Sequence, residues 1–228
     1  MIKTTLRTNS REQFLAASKQ LGRILQNVSQ QKPEIIIDLN GDACSGKSLV
    51  AIAIDSVFRP HNYTNSGAIA PYCEADNSLA PGDDKPVVFY NFNFSAISFK
   101  ERQLLNLKEN YDEELKKIRR RSPSAKILIA ANLYRGDAAP YFNYIQHRLN
   151  SDVLDLVINV RCLQPSATET LTETARRKMA ADPFNYAREM REKFHRDINL
   201  FTEDHNPLAQ YLYQLDQADM PRLDLAEN

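Results

Sequence analysis

Glu34-Ile35-Ile36-Ile37-Asp38-Leu39-Asn40-Gly41-Asp42-Ala43-Cys44-Ser45-Gly46-Lys47-Ser48-Leu49-Val50-Ala51-Ile52-Ala53-Ile54 decides the fold of this chain. Glu34 to Leu39 is a short β-branched run, the pattern of a buried strand in a parallel sheet. Leu49 to Ile54 reads as an apolar helix. Between them lies Gly41-x-x-x-x-Gly46-Lys47-Ser48, the P-loop pattern, in the strand–turn–helix setting that it requires. Gly41 and Gly46 permit backbone conformations that side chains forbid. The amides of Ala43 to Ser48 can then wrap a phosphate chain at a positive helix end. Lys47 adds a point charge for the terminal phosphates. The Ser48 hydroxyl is the expected Mg²⁺ ligand, beside phosphate oxygens and waters. The candidate nucleotide-binding set is Gly41, Asp42, Ala43, Cys44, Ser45, Gly46, Lys47, Ser48 and Leu49.

Working outward, Ile2 to Arg7 alternates and reads as a short edge strand. Asn9-Ser10-Arg11-Glu12-Gln13 has the form of a capping box. Phe14, Leu15, Leu21, Ile24 and Leu25 follow at helical spacing, which predicts an amphipathic helix over Arg11 to Asn27. Beyond the loop, Arg59 to Pro86 is polar and rich in turn residues, a length that inside a compact domain points to function or mobility. Further strands are predicted at Val87 to Phe94, Lys126 to Asn132 and Val153 to Val160, with a charged helix over Phe99 to Arg121. Ser166 to Leu215 is helical in composition, with a break at Asp182-Pro183. Strands alternating with helices imply βαβ units. The expected architecture is an α/β P-loop NTPase fold, a three-layer, mostly parallel sheet with helices on both faces. Residues 1–162 would form the nucleotide-binding domain and residues 163–228 a helical extension packed on it.

Composition narrows the classes. Twenty-nine Lys+Arg balance twenty-nine Asp+Glu among 228 residues, so no overall positive field draws nucleic acid to the surface. The three cysteines, Cys44, Cys73 and Cys162, are odd in number and widely spaced, neither a disulfide framework nor a zinc pattern. No apolar run is long enough for a transmembrane helix, and Met1 to Arg7 lacks the apolar core of a signal peptide. The expectation is a cytoplasmic protein with reduced thiols and no membrane partner.

The catalytic complement is harder to locate. P-loop enzymes place a carboxylate at the end of a neighbouring strand to hold Mg²⁺ or its waters. Here the second core strand runs into Asn91-Phe92-Asn93 and the third into Ala130-Ala131-Asn132. Asp38 lies within the P-loop strand and Asp42 within the loop. Glu74, Asp76, Asp83 and Asp84 lie in the polar segment and reach the metal only if that segment folds over it.

The region from Ser10 to Ser48 resembles the amino-terminal part of the TsaE-type P-loop ATPases, a bacterial family needed for threonylcarbamoyl-adenosine modification of tRNA. The resemblance rests on Gln13-Phe14-Leu15 through Leu21-Gly22, Ile35-Ile36-Ile37, and Gly41-Asp42 to Gly46-Lys47-Ser48. It extends loosely through Arg59-Pro60-His61-Asn62-Tyr63-Thr64, where Thr64 matches a metal-side threonine, and reaches about Val160. Asn93 stands where the family has Asp, and Ala131 where it has Glu. The resemblance implies ATP with Mg²⁺, Lys47 and Thr64 as catalytic residues, and Ser48 and Thr64 as metal ligands. It also implies a protein partner and an indirect link to tRNA processing. The Asn93 and Ala131 departures imply slow hydrolysis. The chain would act as a nucleotide switch in a protein complex, with Arg59 to Pro86 as the responsive segment.

Two alternatives stay open. Arg176 and Arg177, with Arg188, Arg191 and Arg196, resemble the arginine-bearing lid of small P-loop kinases, and Ser45-Gly46-Lys47-Ser48 also occurs in uridine-kinase-like loops. Glu169, Glu173, Glu189 and Glu192 could instead pair those arginines along a solvated helix. The other alternative is a nucleotide-binding module without turnover. Lys116-Lys117-Ile118-Arg119-Arg120-Arg121 is the one basic run, suited to RNA phosphates or to a helix C-terminus. His61 could line the nucleotide site, whereas His147, His195 and His205 are scattered.

Overall fold

Strand β2 (Ile35–Gly41) forms where the β-branched run predicts it and is buried along nearly its whole length. The computed structural model describes residues 1–41, 45–60, 82, 84–92, 113, 115–132, 154–162 and 195–217. Around β2 lie β1 (Ile2–Thr8), β3 (Val87–Phe92), β4 (Ile127–Asn132), β5 (Leu156–Cys162) and β6 (Arg196–Thr202), in one six-stranded sheet of order β1-β6-β5-β2-β4-β3. β2 pairs in parallel with both β4 and β5, and β3 in parallel with β4. β6 runs antiparallel to β5 and to β1, so β1 points the same way as β2, and among the described strands β6 alone is reversed.

Helix α1 (Arg11–Val28) begins at the capping box that the sequence announces. The Gln13 N–H donates to Ser10 Oγ at 3.2 Å, and the Asn9 N–H donates to Gln13 Oε1 at 2.8 Å. Glu12 sits in the first turn, where a backbone hydrogen bond and then the Ser10 hydroxyl pull its carboxyl below the ordinary range. α1 packs its apolar stripe on α2 (Lys47–Phe58) and on the sheet. Gly22 makes this approach possible, because a Cβ there would stand 3.1 Å from the Ile54 Cα of α2. α2 is wedged between α1 and the sheet, which explains why Val50 to Ile54 is apolar all round. A helix α4 (Leu208–Gln217) closes the same face against β1 and α1. On the opposite face, α3 (residues 115–121) lays Leu115 and Ile118 on Ile36, Val88, Leu128 and Val157. Helices therefore cover both faces, and the two apolar layers follow the alternation of the strands. Each fully buried Leu, Ile or Phe contributes roughly 1.5–3 kcal/mol.

One sequence expectation is corrected here. Ser166 to Leu215 is not helical throughout, because Arg196–Thr202 is β6, inserted between β1 and β5. The stretch from 196 to 217 is thus part of the sheet and its covering layer. Period-two alternation of Ile198 and Leu200 with Asp197, Asn199 and Phe201 was the available signal, masked by the polar composition around it. Asp84, which could reach a metal only if the polar segment folded over it, lies far from the loop. It occupies a turn, at φ 61°, just before β3, at the amino ends of the parallel strands and across the sheet from the loop. Strand limits otherwise shift by one to three residues. Most of Arg59 to Pro86, the helix expected before residue 113, and Arg176, Arg177, Arg188 and Arg191 lie outside the described residues.

Asp155, just before β5, ties the amino ends of the sheet together. Its Oδ2 accepts from the Ile36 N–H at 2.9 Å, and its Oδ1 accepts from Asn206 Nδ2 at 2.8 Å and from Lys32 Nζ. Its carbonyl accepts from Thr202 Oγ1 at 2.6 Å. Asp155→Ala leaves the buried Ile36 N–H and the buried Asn206 NH2 without the acceptor they share, which costs about 2–4 kcal/mol in total. Urea unfolding followed by circular dichroism should show that loss with the m-value unchanged. A change within about 0.5 kcal/mol, the usual range for surface sites, contradicts this role.

Candidate phosphate-binding site

The carboxyl end of β2 meets β5 at the point where the chain parts. From β2 it proceeds toward β4 and β3, and from β5 toward β6. Ligands of open α/β sheets bind outside the carboxyl ends of the strands at such a switch point. Gly41 occupies this point at φ 144°, paired with Val160 of β5. A Cβ on Gly41 would lie 2.2 Å from the Val160 carbonyl oxygen and 2.8 Å from Ser45 Oγ. Gly46, at φ 106°, is the N-cap of α2 and contributes no side-chain cap. Its Cα faces the ring of Phe14, and a Cβ would come 3.1 Å from Phe14 Cζ. Both glycines of the motif are thus in conformations that L side chains rarely adopt.

The first intrahelical bond of α2 runs from the Val50 N–H to the Gly46 carbonyl at 3.0 Å. The N–H groups of Lys47, Ser48 and Leu49 belong to the first turn, which has no acceptors of its own and carries the positive end of the helix dipole. Lys47 Nζ reaches back across the loop and donates to the Gly41 carbonyl at 2.8 Å. This bond joins the two ends of the loop. The Ser48 hydroxyl makes no hydrogen bond among the described residues. Among the described residues, Ser45 Oγ and Asn40 Oδ1 are buried without hydrogen-bond partners, one on each side of Gly41. Orphaned buried oxygens are costly and call for a partner such as a ligand or an ordered water. The donor set, one ammonium, helix-start amides and a free serine hydroxyl, fits a phosphate chain with a hard divalent cation.

Among the sequence-derived site residues, the structure brings Gly41, Ser45, Gly46, Lys47, Ser48 and Leu49 together. Asp42, Ala43, Cys44, Thr64 and His61 lie outside the described residues, as do Glu74, Asp76, Asp83 and Asn93. Asp38 is fully buried on the α3 face and accepts from Asn40 Nδ2 at 3.2 Å, so it belongs to the wall beneath the loop. The basic run engages neighbouring acids: Lys116 pairs with Glu113 at 2.8 Å, and Arg119 Nε bonds Glu34 at 3.0 Å. His195 is half-buried and contacts Asn9 Oδ1 at 3.1 Å.

Sequence reasoning missed a polar ladder beside the loop. Asn40 of β2 stands opposite Asn159 of β5, which stands opposite Asn199 of β6, which stands opposite Thr5 of β1. All four lie on the α3 face, one step toward the carboxyl ends from Val157 and Phe201. Thr5 Oγ1 donates to Asn199 Oδ1 at 2.9 Å, and Asn199 Nδ2 donates to the Asn159 carbonyl at 3.3 Å. The Asn159 carboxamide makes no hydrogen bond among the described residues. The next row sets Asp197 between Arg7 and Arg161. The ladder is visible only once β6 is placed in register. Arg196, read from sequence as part of a lid, is instead 2% exposed at the start of β6, with Nε donating to the Ser45 carbonyl at 3.2 Å.

Among the described residues no helix is long and apolar enough to cross a membrane, and no group of three His, Cys, Asp or Glu side chains gathers as a metal site. No protein-family model, curated protein or solved structure matches this chain.

Proposed function

We propose that this protein binds a nucleoside triphosphate, ATP in our reading, together with Mg²⁺, through Gly41 to Leu49, and works as a nucleotide switch within a protein complex. The observation that carries the reading is the frame of the loop. Two glycines at positive φ bracket it between β2 and α2, and Lys47 Nζ bonds across it to the Gly41 carbonyl. The resemblance to the TsaE-type ATPases adds the protein partner and an indirect link to tRNA modification. In this reading Ser48 holds the Mg²⁺ and Lys47 faces the terminal phosphates. The metal, when bound, neutralises charge between the phosphates. The chain's own contribution is to fix the phosphate chain on preformed amides.

Calorimetric titration with ATP, with and without Mg²⁺, tests the reading. Saturable, Mg²⁺-dependent binding is expected. Absence of binding to ATP and to GTP at millimolar ligand, a threshold of about −4 kcal/mol, rejects it.

The ladder of Asn40, Asn159 and Asn199 favours a second reading, a small P-loop kinase. Carboxamides both donate and accept, so they suit an uncharged polar acceptor beside the loop. The two readings differ in turnover. A switch releases inorganic phosphate at well under about one per second, whereas a kinase forms ADP only when its acceptor is added.

A further inference from the structure

We propose that Arg196 is a positioning residue of the phosphate loop, holding the Ser45–Gly46 peptide so that the Gly46 N–H is turned toward the phosphates. The proposal rests on the nucleotide reading above and assigns a part of that site to the distant β6. β6 alone runs against the sheet, and this reversal brings its first residue, Arg196, to the carboxyl ends of β2 and β5. The backbone there is pinned from both sides. Thr8 and Cys162 are its register partners, and Thr8 Oγ1 donates to the Arg196 carbonyl at 2.9 Å. The guanidinium is thereby delivered to a fixed place. Nε donates to the Ser45 carbonyl at 3.2 Å and Nη1 to the His195 carbonyl at 3.0 Å.

The consequence follows from peptide geometry. In a trans peptide the C=O and the next N–H point in opposite directions, and no cis bond occurs among the described residues. With the Ser45 carbonyl held toward β6, the Gly46 N–H points away from it. Gly46, at φ 106°, is the residue whose freedom also allows the flipped peptide. An external contact must therefore choose the orientation, and Arg196 makes that contact. Its charge also polarises the peptide and strengthens the N–H as a donor. Packing alone would not select arginine. Ile198 and Leu200, on the same face of β6, are fully buried and apolar, and burying a guanidinium costs free energy unless it is hydrogen-bonded.

The test compares Arg196→Met with Arg196→Lys, titrating Mg²⁺–ATP and Mg²⁺–tripolyphosphate, with a thermal melt of each variant. Arg196→Met should weaken both probes in parallel by at least about tenfold, the scale of a charge-assisted hydrogen bond. Arg196→Lys, which can still donate to the Ser45 carbonyl, should recover most of that loss. If Arg196→Met does not fold, Arg196→Gln carries the same comparison. A folded Met or Gln variant that binds both probes as wild type does overturns the proposal while leaving the nucleotide reading intact. So does an Arg196→Lys loss equal to that of Arg196→Met, which marks a packing role. Wild-type protein that binds neither probe overturns the nucleotide reading, and this proposal with it.

Discussion

Lys47→Ala is expected to weaken Mg²⁺–ATP binding by roughly 10–150-fold, because a charge-assisted contact with phosphate is worth about 1.5–3 kcal/mol. Lys47 Nζ already spans the loop to the Gly41 carbonyl at 2.8 Å, so little side-chain freedom is left to lose when phosphate arrives. The mutation should act on binding far more than on folding. Losing one partly exposed hydrogen bond costs about 1 kcal/mol, which for a chain of this size moves the melting temperature by roughly 2–4 °C. Calorimetry and a thermal melt on the same preparations separate the two effects. Equal ATP affinities for mutant and wild type would remove Lys47 from the site. A collapse of the melting temperature with unchanged affinity would assign it to loop closure alone.

The legible part of this fold was the part specified locally. The capping box at Ser10 and Gln13, the β-branched run of β2 and the glycines of the loop each encode their conformation in a few adjacent residues. β4 and β5 were visible as apolar runs because both faces of a central parallel strand are covered, and β3, at the edge of the order, because Val87 and Phe89 are buried on one face and Val88 on the other. β6 was not visible, for a physical reason. Arg196, Asp197 and Asn199 have little intrinsic preference for a strand, and the segment is held by pairing with β5 on one side and β1 on the other. Everything that depends on β6 was hidden with it: the carboxamide ladder, Asp197 between two arginines, and the contact of Arg196 with the loop. Asp155 was hidden in the same way, since its partners come from two distant parts of the chain, Lys32 and Ile36 before it and Asn206 after it. Sequence thus located the loop and its two glycines, while the side that supports the loop required the register of the sheet.

Gly41→Ala should cost far more stability than Gly46→Ala, and the surroundings of the two glycines show why. Both positions have positive φ, at 144° and 106°, and strain of that kind costs about 1–3 kcal/mol for an L residue. Their surroundings differ. A methyl on Gly46 meets the edge of the Phe14 ring at 3.1 Å, and a ring can turn or slide by a few tenths of an ångström. A methyl on Gly41 overlaps the Val160 carbonyl oxygen at 2.2 Å, and that oxygen belongs to the backbone of a central strand. β5 would have to withdraw, which breaks the pairing of Gly41 with Val160 and disturbs Asn40 opposite Asn159. A total on the order of 3–5 kcal/mol follows, or a melting temperature lower by roughly 6–20 °C. Gly46→Ala should lose less than half as much stability. Both variants should lose Mg²⁺–ATP binding, because both re-aim the amides of the loop. Melts and titrations of the two proteins side by side decide the matter. If Gly46→Ala proves the less stable, the Val160 carbonyl is not the harder wall. If Gly41→Ala folds and binds nucleotide like wild type, the loop does not need the conformation that places it against β5.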